Sequence, residues 1–357
     1  MSSSFNPPQS AQNQTAPAPQ AELQRMPIPG DKIGPNHILQ VIGEGGSASV
    51  YRVWHEGLEV VRAVKVLKPD NGKNSRDRFL TEAKILADIH HPNIIEIHHV
   101  GYLQQQIPFL ELEYIDGMSV KGLIKRFGNL PLPVALSITY FVCQALEYAH
   151  TKDYTLYGKI YKGLIHRDVK PENIIISKRG IVKLMDFGIA RPSEIGLKNT
   201  ETKVMGTLVY LSPEQLNSHP LDQRSDIFSL GTVLYEMICG KRAFPQKTIT
   251  ELIHKKTEGQ YRPISMYKQP LPQGLEKIID KCLALYPEDR FEDAAQLGDY
   301  VYKILRLISD KAPQDILTIY MKDPPSIPYE WDLLERKNEE SADKESKKRK
   351  WWKRKAG

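Results

Sequence analysis

The sequence His-Arg-Asp-Val-Lys-Pro-Glu-Asn occupies residues 166–173, and the triplet Asp-Phe-Gly follows it at residues 186–188. This spacing suits phosphoryl transfer, in which a carboxylate orients and receives the proton of an attacking hydroxyl while two oxygen ligands hold Mg²⁺ against nucleotide phosphates. Asp168 is the candidate base of such a site. Asn173 and Asp186 are the candidate metal ligands.

A glycine-rich turn precedes this segment, between two short β-rich runs. Glycines let a backbone approach a polyphosphate closely, although glycine clusters are also common in hairpins that bind nothing. The next strand contains Lys65, which needs a partner if it faces inward. Glu82, on the following helix, is the natural partner, and the ion pair would aim the ammonium at phosphate oxygens. The candidate nucleotide contacts in the turn are Gly43, Glu44, Gly45, Gly46, Ser47 and Val50.

Together these segments resemble the protein kinase superfamily, most closely the bacterial-type serine/threonine kinases. The resemblance covers about residues 36–308, and its motifs follow the order of the family. As they stand in this chain, the motifs are GEGGSASVYR, RAVKVL, TEAKIL, LEYIDG, IHRDVKPENI, VKLMDFGIAR, GTLVYLSPEQ, SDIFSLG and PEDRF.

The resemblance implies an α+β, bilobal protein kinase fold. Residues 36–115 would form a small N-lobe with a five-stranded antiparallel sheet and one helix, and residues 116–308 a larger, mainly helical C-lobe. It also implies transfer of the γ-phosphate of ATP to Ser or Thr of proteins, with Mg²⁺ or alternatively Mn²⁺. A pseudokinase that only binds partners would lack one of the key site residues, and a small-molecule phosphotransferase would lack the SPE-terminated activation segment. This chain has both.

Further roles follow from the same resemblance. Adenine would meet the hinge backbone at Glu113 and Ile115 beside Leu112, with Val50, Ala63 and Ile175 above and below the ring.

The resemblance also implies contacts around the candidate base. In the active state, Thr207 would contact Asp168 and Lys170. His166 is expected to pack in the core together with Leu86 and Phe187. Two structural contacts are expected as well: Glu214 with Arg290, and Asp226 with the catalytic loop.

Regulation would centre on Arg167 and the activation segment, where Thr200 and Thr202 are candidate phosphorylation sites. A phosphate there carries close to two negative charges and could order the segment through Arg167. We expect self-association for this modification in trans. The alternative is that both threonines are solvated loop residues.

Two departures from the family pattern stand out. Ala48 replaces the third glycine of the phosphate loop, which we expect to be tolerated. Between His150 and His166 about ten residues are inserted, within TKDYTLYGKIYKGL. The tyrosines of the insertion, Tyr154, Tyr157 and Tyr161, mark either a docking surface or a surface loop without a function.

Composition places the chain among ordinary globular proteins, with 41% hydrophobic and 26% charged residues. Its three cysteines lie far apart in apolar patterns, which indicates reduced thiols rather than disulfides or a zinc site. We find no secretory signal and expect a cytoplasmic protein.

Residues 1–27 are rich in Pro, Gln and Ser and are predicted to be a disordered leader, whereas residues 309–343 are predicted to be a Pro-rich and charged extension.

The last segment, residues 344–357, contains eight basic residues and one acid around Trp351 and Trp352. Because the whole chain has a net charge of +6 and this tail +7, the remaining residues carry about one negative charge, and we expect no nucleic acid on the kinase domain. Basic residues with tryptophan favour an anionic membrane surface, peripherally at the inner face. Three alternatives remain: a solvated tail, a nucleic-acid contact or import signal, and the flank of a membrane helix absent from this chain.

Overall fold

The N-terminal part of the computed structural model is an antiparallel sheet with the strand order β1-β2-β3-β4-β6-β5. The model describes residues 25–69, 72–188, 206, 208–245, 248–267 and 271–324. The strands are β1 (Lys32–Ile33), β2 (Asn36–Glu44), β3 (Ala48–His55), β4 (Val60–Leu67), β5 (Ile97–Leu103) and β6 (Ile107–Glu113). Helix α1 (Gly72–Leu86) connects β4 to β5.

Buried and more exposed residues alternate in β3, which has one covered face, whereas β6 is buried continuously over its first five residues. In β3, for example, Tyr51 and Val53 are buried, whereas Arg52 between them is only half-buried. The five strands predicted for residues 36–115 are β2–β6, and one further strand precedes that range. The sixth, β1, has two residues, which is too short to show a two-residue period, and it pairs with the start of β2.

The C-terminal part is mainly helical, as predicted, around one large apolar core. Its helices are α2 (Val120–Phe127), α3 (Leu132–Thr151), α4 (Pro213–Leu216), α5 (Arg224–Cys239), α6 (Ile249–Thr257), α7 (Leu275–Cys282), α8 (Ala294–Ile308) and α9 (Pro313–Lys322). Three short strands form a second sheet, in the order β11 (Val182–Leu184), β10 (Ile174–Ser177) and β7 (Gly117–Ser119). A separate hairpin joins β8 (Asp153–Leu156) and β9 (Lys159–Lys162).

Helices α3 and α5 form the centre of this core. Every residue of α5 from Ser225 to Ile238 is buried, and the helix ends at Gly240, whose φ of 64° is the left-handed conformation that glycine adopts without strain. Among the described residues, only α3 has the length and apolar composition of a membrane span, and 72% of its apolar window is buried inside the protein. This burial is typical of a core helix.

Helix α9 was not predicted, because its residues fall in the segment assigned to a Pro-rich extension. Ile316, Leu317 and Tyr320 are buried against the C-terminal core. The extension therefore begins with an ordered helix. Of the predicted leader only residues 25–27 are described, and the basic tail lies outside the described residues.

Candidate active site

Lys65 lies in β4, with its ammonium between two carboxylates. Its Nζ is 2.8 Å from Asp186 Oδ1 and 3.5 Å from Glu82 Oε1. Burial alone would lower the pKa of Lys65, but the charges of Asp186 and Glu82 outweigh burial and raise it, so the ammonium stays protonated. The structure therefore brings together the strand lysine and the helix glutamate that the sequence paired, and adds Asp186 as the closer partner.

Glu82 is the less firmly held member of this cluster. It is buried on α1, and burial raises its pKa to about 7, which the Lys65 ammonium opposes and the Asp186 charge reinforces. Burial therefore favours the neutral form of this side chain, and the Lys65 ammonium favours the ionised form. The Lys65–Glu82 pair forms fully only in the ionised state.

Asp168 lies in the loop before a short 3₁₀ turn, Pro171–Asn173. Lys170 Nζ is 2.7 Å from Asp168 Oδ2, and Asn173 Nδ2 donates to the Asp168 carbonyl at 2.9 Å and to Oδ2 at 3.2 Å. A fixed carboxylate beside an ammonium can accept the proton of a bound hydroxyl. The candidate base and Lys170 are thus in direct contact.

Asn173 and Asp186 lie on neighbouring segments, because the Met185 N–H donates to the Asn173 carbonyl at 2.8 Å. Since the Asn173 amide nitrogen donates to Asp168, its amide oxygen remains as an acceptor, and Asp186 supplies carboxylate oxygens. This donor set fits a hard divalent cation that takes its other ligands from phosphates. No group of three or more His, Cys, Asp or Glu that could hold a metal by itself occurs in the described ranges.

Asp226 fixes the loop that carries Asp168 through hydrogen bonds to the loop backbone. This buried carboxylate accepts the backbone N–H of His166 at 2.7 Å and of Arg167 at 2.8 Å, and lies 2.8 Å from His150 Nε2. The backbone of Arg167 has a φ of 63°, which non-glycine residues rarely adopt. Asp226 thus holds the backbone next to the base in an unusual conformation, as the family resemblance implied.

His166 is completely buried, as expected for a packed residue rather than a base. Its ring centroid is 4.4 Å from that of Phe187, its Nε2 contacts the Met185 carbonyl at 3.0 Å, and the Asp168 N–H donates to Nδ1 at 3.2 Å. Burial lowers the pKa of His166, although the nearby carboxylates oppose this shift. Leu86 belongs to the same apolar core as Phe187.

The predicted nucleotide contacts are distributed over both parts of the molecule. Gly43 and Glu44 end β2, and Gly45, Gly46 and Ser47 form the turn to β3. In the sheet, Val50 pairs with Lys65, and Ala63 with Leu112. Glu113 ends β6, Ile115 follows in the connection to the C-terminal part, and Ile175 lies in β10. Their contacts with adenine and phosphates stay predictions.

Lys68 holds the glycine-rich turn, a role that the sequence did not suggest. Its Nζ donates to the Gly45 carbonyl at 2.9 Å, and its N–H donates to the Ser47 carbonyl at 2.8 Å. A Cβ on Gly46 would meet nothing within 4 Å, so the turn is open on that side. Ala48 is buried and pairs with Leu67 in regular strand geometry.

A second ionic cluster lies at the end of the activation segment. Arg290 donates to both oxygens of Glu214, at 2.7 and 2.9 Å, and Ser225 Oγ donates to Oε1 at 2.7 Å. This pair was expected from the resemblance. The fully buried Lys256 was not: its Nζ donates to the Leu211 carbonyl at 2.5 Å. Burial lowers the pKa of Lys256 well below its usual value.

Two further contacts were missed because they join residues far apart in the sequence. His150 supports Asp226, and Lys183 Nζ lies 2.5 Å from Glu113 Oε1, linking β11 to the end of β6. A single histidine or lysine in an otherwise ordinary pattern gives no signal for such a role. The predicted regulatory residues Thr200, Thr202 and Thr207 lie outside the described residues.

Comparison with known proteins agrees with this geometry. Residues 36–302 match the family model described as protein kinase domain. A probable serine/threonine-protein kinase of Clostridium perfringens is 36% identical over 285 residues, which is 78% of this chain and 40% of that protein. The serine/threonine-protein kinase PknB of Mycobacterium leprae is 32% identical, over 81% of this chain and 43% of that protein.

Solved structures show the same fold. The kinase domain of PknI from Mycobacterium tuberculosis matches with a TM-score of 0.58 and 26% identity, covering 78% of this chain and all of that domain. The chain spans about two fifths of the length of the curated relatives that it matches.

Proposed function

The chain belongs to the protein kinase family, which uses ATP with a divalent metal, and we propose that it transfers the γ-phosphate of ATP to Ser or Thr hydroxyls of proteins. The observation that carries the proposal is the joint placement of Lys65 against Glu82 and Asp186, and of Asp168 against Lys170 and Asn173. Each group that phosphoryl transfer requires is present and in contact with its partner. Relatives that are named serine/threonine kinases support the choice of substrate hydroxyl.

In this proposal each residue has a defined task. The Lys65 ammonium binds phosphate oxygens, while Glu82 and Asp186 hold its position. Asn173 and Asp186 would hold Mg²⁺, which neutralises charge on the phosphates when bound. As the substrate oxygen bonds to the γ-phosphorus and the bond to ADP breaks, Asp168 receives the hydroxyl proton. Lys170, in contact with Asp168, stabilises the negative charge that is transferred.

The test is phosphate transfer from γ-labelled ATP to casein by the purified full chain, followed by phosphoamino-acid analysis. We expect labelled phosphoserine and phosphothreonine with Mg²⁺ and none with the Asp168→Asn variant. Asp310→Asn, an exposed aspartate outside the site, is the matched control and should keep full activity. Binding of ATP without transfer to casein or to the chain itself would instead support a binding module.

We also propose that phosphorylation of Thr200 or Thr202, in trans, activates the enzyme. Support comes from Arg167, whose guanidinium has no hydrogen-bond partner among the described residues while its backbone is fixed by Asp226. A phosphothreonine would provide that partner. Full activity of a Thr200→Ala, Thr202→Ala double variant would contradict this proposal.

A separate proposal concerns localisation: residues 344–357 attach a cytoplasmic kinase to anionic membrane surfaces. Eight basic residues, each contributing about 1 kcal/mol near such a surface, support peripheral binding, and the tryptophan pair suits the interface. Cosedimentation with phosphatidylserine vesicles should fall with salt and disappear when residues 344–357 are deleted. Equal sedimentation of the full and shortened chains would refute the assignment.

A further inference from the structure

The inserted residues between α3 and the catalytic loop form an ordered hairpin. Strands β8 and β9 pair from Asp153–Lys162 to Leu156–Lys159 and are joined by the two residues Tyr157 and Gly158. Both have positive φ, 52° and 73°, the combination of a type I′ turn, which matches the twist of a hairpin. The insertion is therefore a regular hairpin, and whether it is a docking surface or a surface segment without a function stays a prediction.

The base of the hairpin is fixed to the end of α3. Gly163 has a φ of 67°, and a Cβ there would lie 2.3 Å from the His150 carbonyl oxygen, so only glycine fits. The next residue, Leu164, donates its N–H to the Ala149 carbonyl at 2.8 Å. The chain therefore leaves the hairpin along one defined path.

The tip of the hairpin contacts α1, the helix that carries Glu82. Tyr157 OH lies 3.4 Å from Thr81 Oγ1, and because Thr81 already donates to the Asp77 carbonyl at 2.8 Å, the tyrosine is the donor. Lys84 Nζ lies 4.3 Å from the centroid of the Tyr157 ring, within the range of a cation–π interaction.

A third contact follows beyond the C-terminal end of the helix. The Thr155 N–H donates to Asp88 Oδ2 at 3.3 Å. Tyr157 and Thr155 together contact positions from Thr81 to Asp88, two turns along one side of the segment. Glu82 is adjacent to Thr81 in the sequence, so a displacement of this segment would also displace the Glu82 carboxylate from Lys65.

The opposite face of the hairpin lies against the C-terminal part. Tyr154 and Leu156 pack against the large apolar core, which includes residues of the C-terminal part and Ile85 of α1, and the Tyr154 ring stacks on Tyr161 with centroids 5.5 Å apart. Burial raises the pKa of Tyr154, and the positive charge of Arg167 opposes this shift. The hairpin thus joins α1 to the region next to the catalytic loop.

We propose that the hairpin Asp153–Lys162 is a built-in brace that holds α1 in the position where Glu82 pairs with Lys65, and that Tyr157 is a positioning residue for this pair. The inference rests on the proposed kinase function, because it assigns the hairpin a role in organising that site.

The test uses Tyr157→Asn in the full chain. Asparagine followed by glycine is the preferred pair for a type I′ turn, so this change keeps the hairpin while removing the ring and hydroxyl. Tyr157 is 68% exposed, and its loss leaves no cavity. Ile160→Thr is the matched control, because Ile160 is 74% exposed on the same hairpin and makes none of the contacts described above. Tyr157→Phe keeps the ring over Lys84 and removes only the hydroxyl.

Each contact that is lost corresponds to a factor of about two to five in an equilibrium between positions of α1. We therefore expect kcat for casein phosphorylation to fall about fivefold to twentyfold in Tyr157→Asn, less in Tyr157→Phe, and not in Ile160→Thr. Hydrogen exchange of the α1 amides should accelerate in the same order. Equal rates in Tyr157→Asn and Ile160→Thr would overturn the proposal.

A double-variant comparison separates positioning from a general structural effect. If the brace acts through Glu82, Tyr157→Asn should have little further effect on kcat in a Glu82→Gln background. An undiminished additional loss would overturn the assignment of Tyr157 as a positioning residue. If the wild-type chain transfers no phosphate, the proposed function fails, whereas hydrogen exchange of α1 still decides whether the brace exists.

Discussion

The two ionic clusters of this kinase differ in how firmly they are held. In the C-terminal cluster, Arg290 contacts both oxygens of Glu214 at 2.7 and 2.9 Å, and the arginine is also fixed by backbone carbonyls. In the N-terminal cluster, Glu82 contacts Lys65 at 3.5 Å. The helix that carries Glu82 is held by buried apolar side chains, among them Ile85 and Leu86, rather than by a short ion pair. The C-terminal half of the site is therefore assembled by folding, whereas the N-terminal half depends on the position of α1.

This difference shows where regulation can act. A conformational switch needs two states of similar free energy, and a ligand or modification can shift them only by its differential affinity for the two. Breaking the buried Glu214–Arg290 pair costs too much free energy for such a switch. Moving Glu82 away from Lys65 breaks one long ion pair and the hairpin contacts, provided that the buried side chains of α1, such as Ile85 and Leu86, stay packed in the core.

The largest effect on activity is expected from Asp186→Asn. This change removes the carboxylate that is closest to Lys65 and that would bind the metal, so phosphoryl transfer should fall at least about a thousandfold. The Asp186 side chain is 46% exposed, so the melting temperature should change little. Activity assays beside thermal denaturation measure both quantities. A large loss of stability would show that Asp186 belongs with the firmly held cluster.

The next effect concerns stability and lies in the other cluster. Arg290→Ala leaves the Glu214 carboxylate buried without its ion-pair partner, and the free energy of unfolding should fall by about 3 kcal/mol. Arg290→Lys keeps the charge but not the bidentate hydrogen bonds to Glu214, and should recover only part of the lost free energy of unfolding. Arg262→Ala, at an exposed position outside both clusters, is the control in urea denaturation. Equal midpoints for both alanine variants would contradict the prediction.

Much of this contrast could not be predicted from the sequence. Lys65, Glu82, Asp168, Asn173 and Asp186 were identified because phosphoryl transfer demands those residue types in a fixed order. Which ion pair is short and which is long depends on how α1 packs, and no local pattern records that. The same reason hid the contacts of His150 and Lys183.

Helix α9 had a local signal that the composition obscured. Pro313 at the first helical position, Asp315 in the first turn and Lys322 in the last are all typical of a helix, and apolar residues recur at helical spacing. The sequence of the inserted hairpin also contained a local signal. A Tyr-Gly pair lies between two runs with β-branched and aromatic residues, which is typical of a hairpin. Its contact with α1, by contrast, is tertiary and needed the structure.

A smaller effect, about tenfold or more on kcat, is expected for Glu82→Gln, and its pH dependence distinguishes the clusters. Because burial raises the pKa of Glu82 to about 7, ionisation and the Lys65 pair are lost as the pH falls below 7. Activity of the wild type should therefore decline from pH 8 to pH 6 beyond any decline in Glu82→Gln. Parallel pH–rate profiles for the two proteins would exclude Glu82 as the titrating group.

The stability effects of Glu82 and Glu214 have opposite signs. The pKa of Glu82 is higher in the folded state than in the unfolded chain, where it is near 4.5. Glu82 therefore stabilises the fold at a pH below about 4.5, and this contribution is lost as the pH rises toward 7. Burial would also raise the pKa of Glu214, but Arg290 outweighs burial and lowers it, so its contribution is present above about 4.5 and lost as the pH falls. Urea denaturation of Glu82→Gln and Glu214→Gln across pH 4 to 8 should show opposite trends relative to wild type.

The smallest effect tests the N-terminal half at the glycine-rich turn. Ala48→Gly restores the third glycine of the family pattern, but Ala48 is buried and begins β3 opposite Leu67, so the change removes a packed methyl group and adds backbone freedom in the unfolded chain. Unfolding free energy should fall by about 1 kcal/mol. The KM for ATP should stay within about twofold, because the open side of the turn lies at Gly46 rather than at residue 48. A several-fold drop in KM would show that the methyl group obstructs the nucleotide, and that this turn, like α1, limits the N-terminal half of the site.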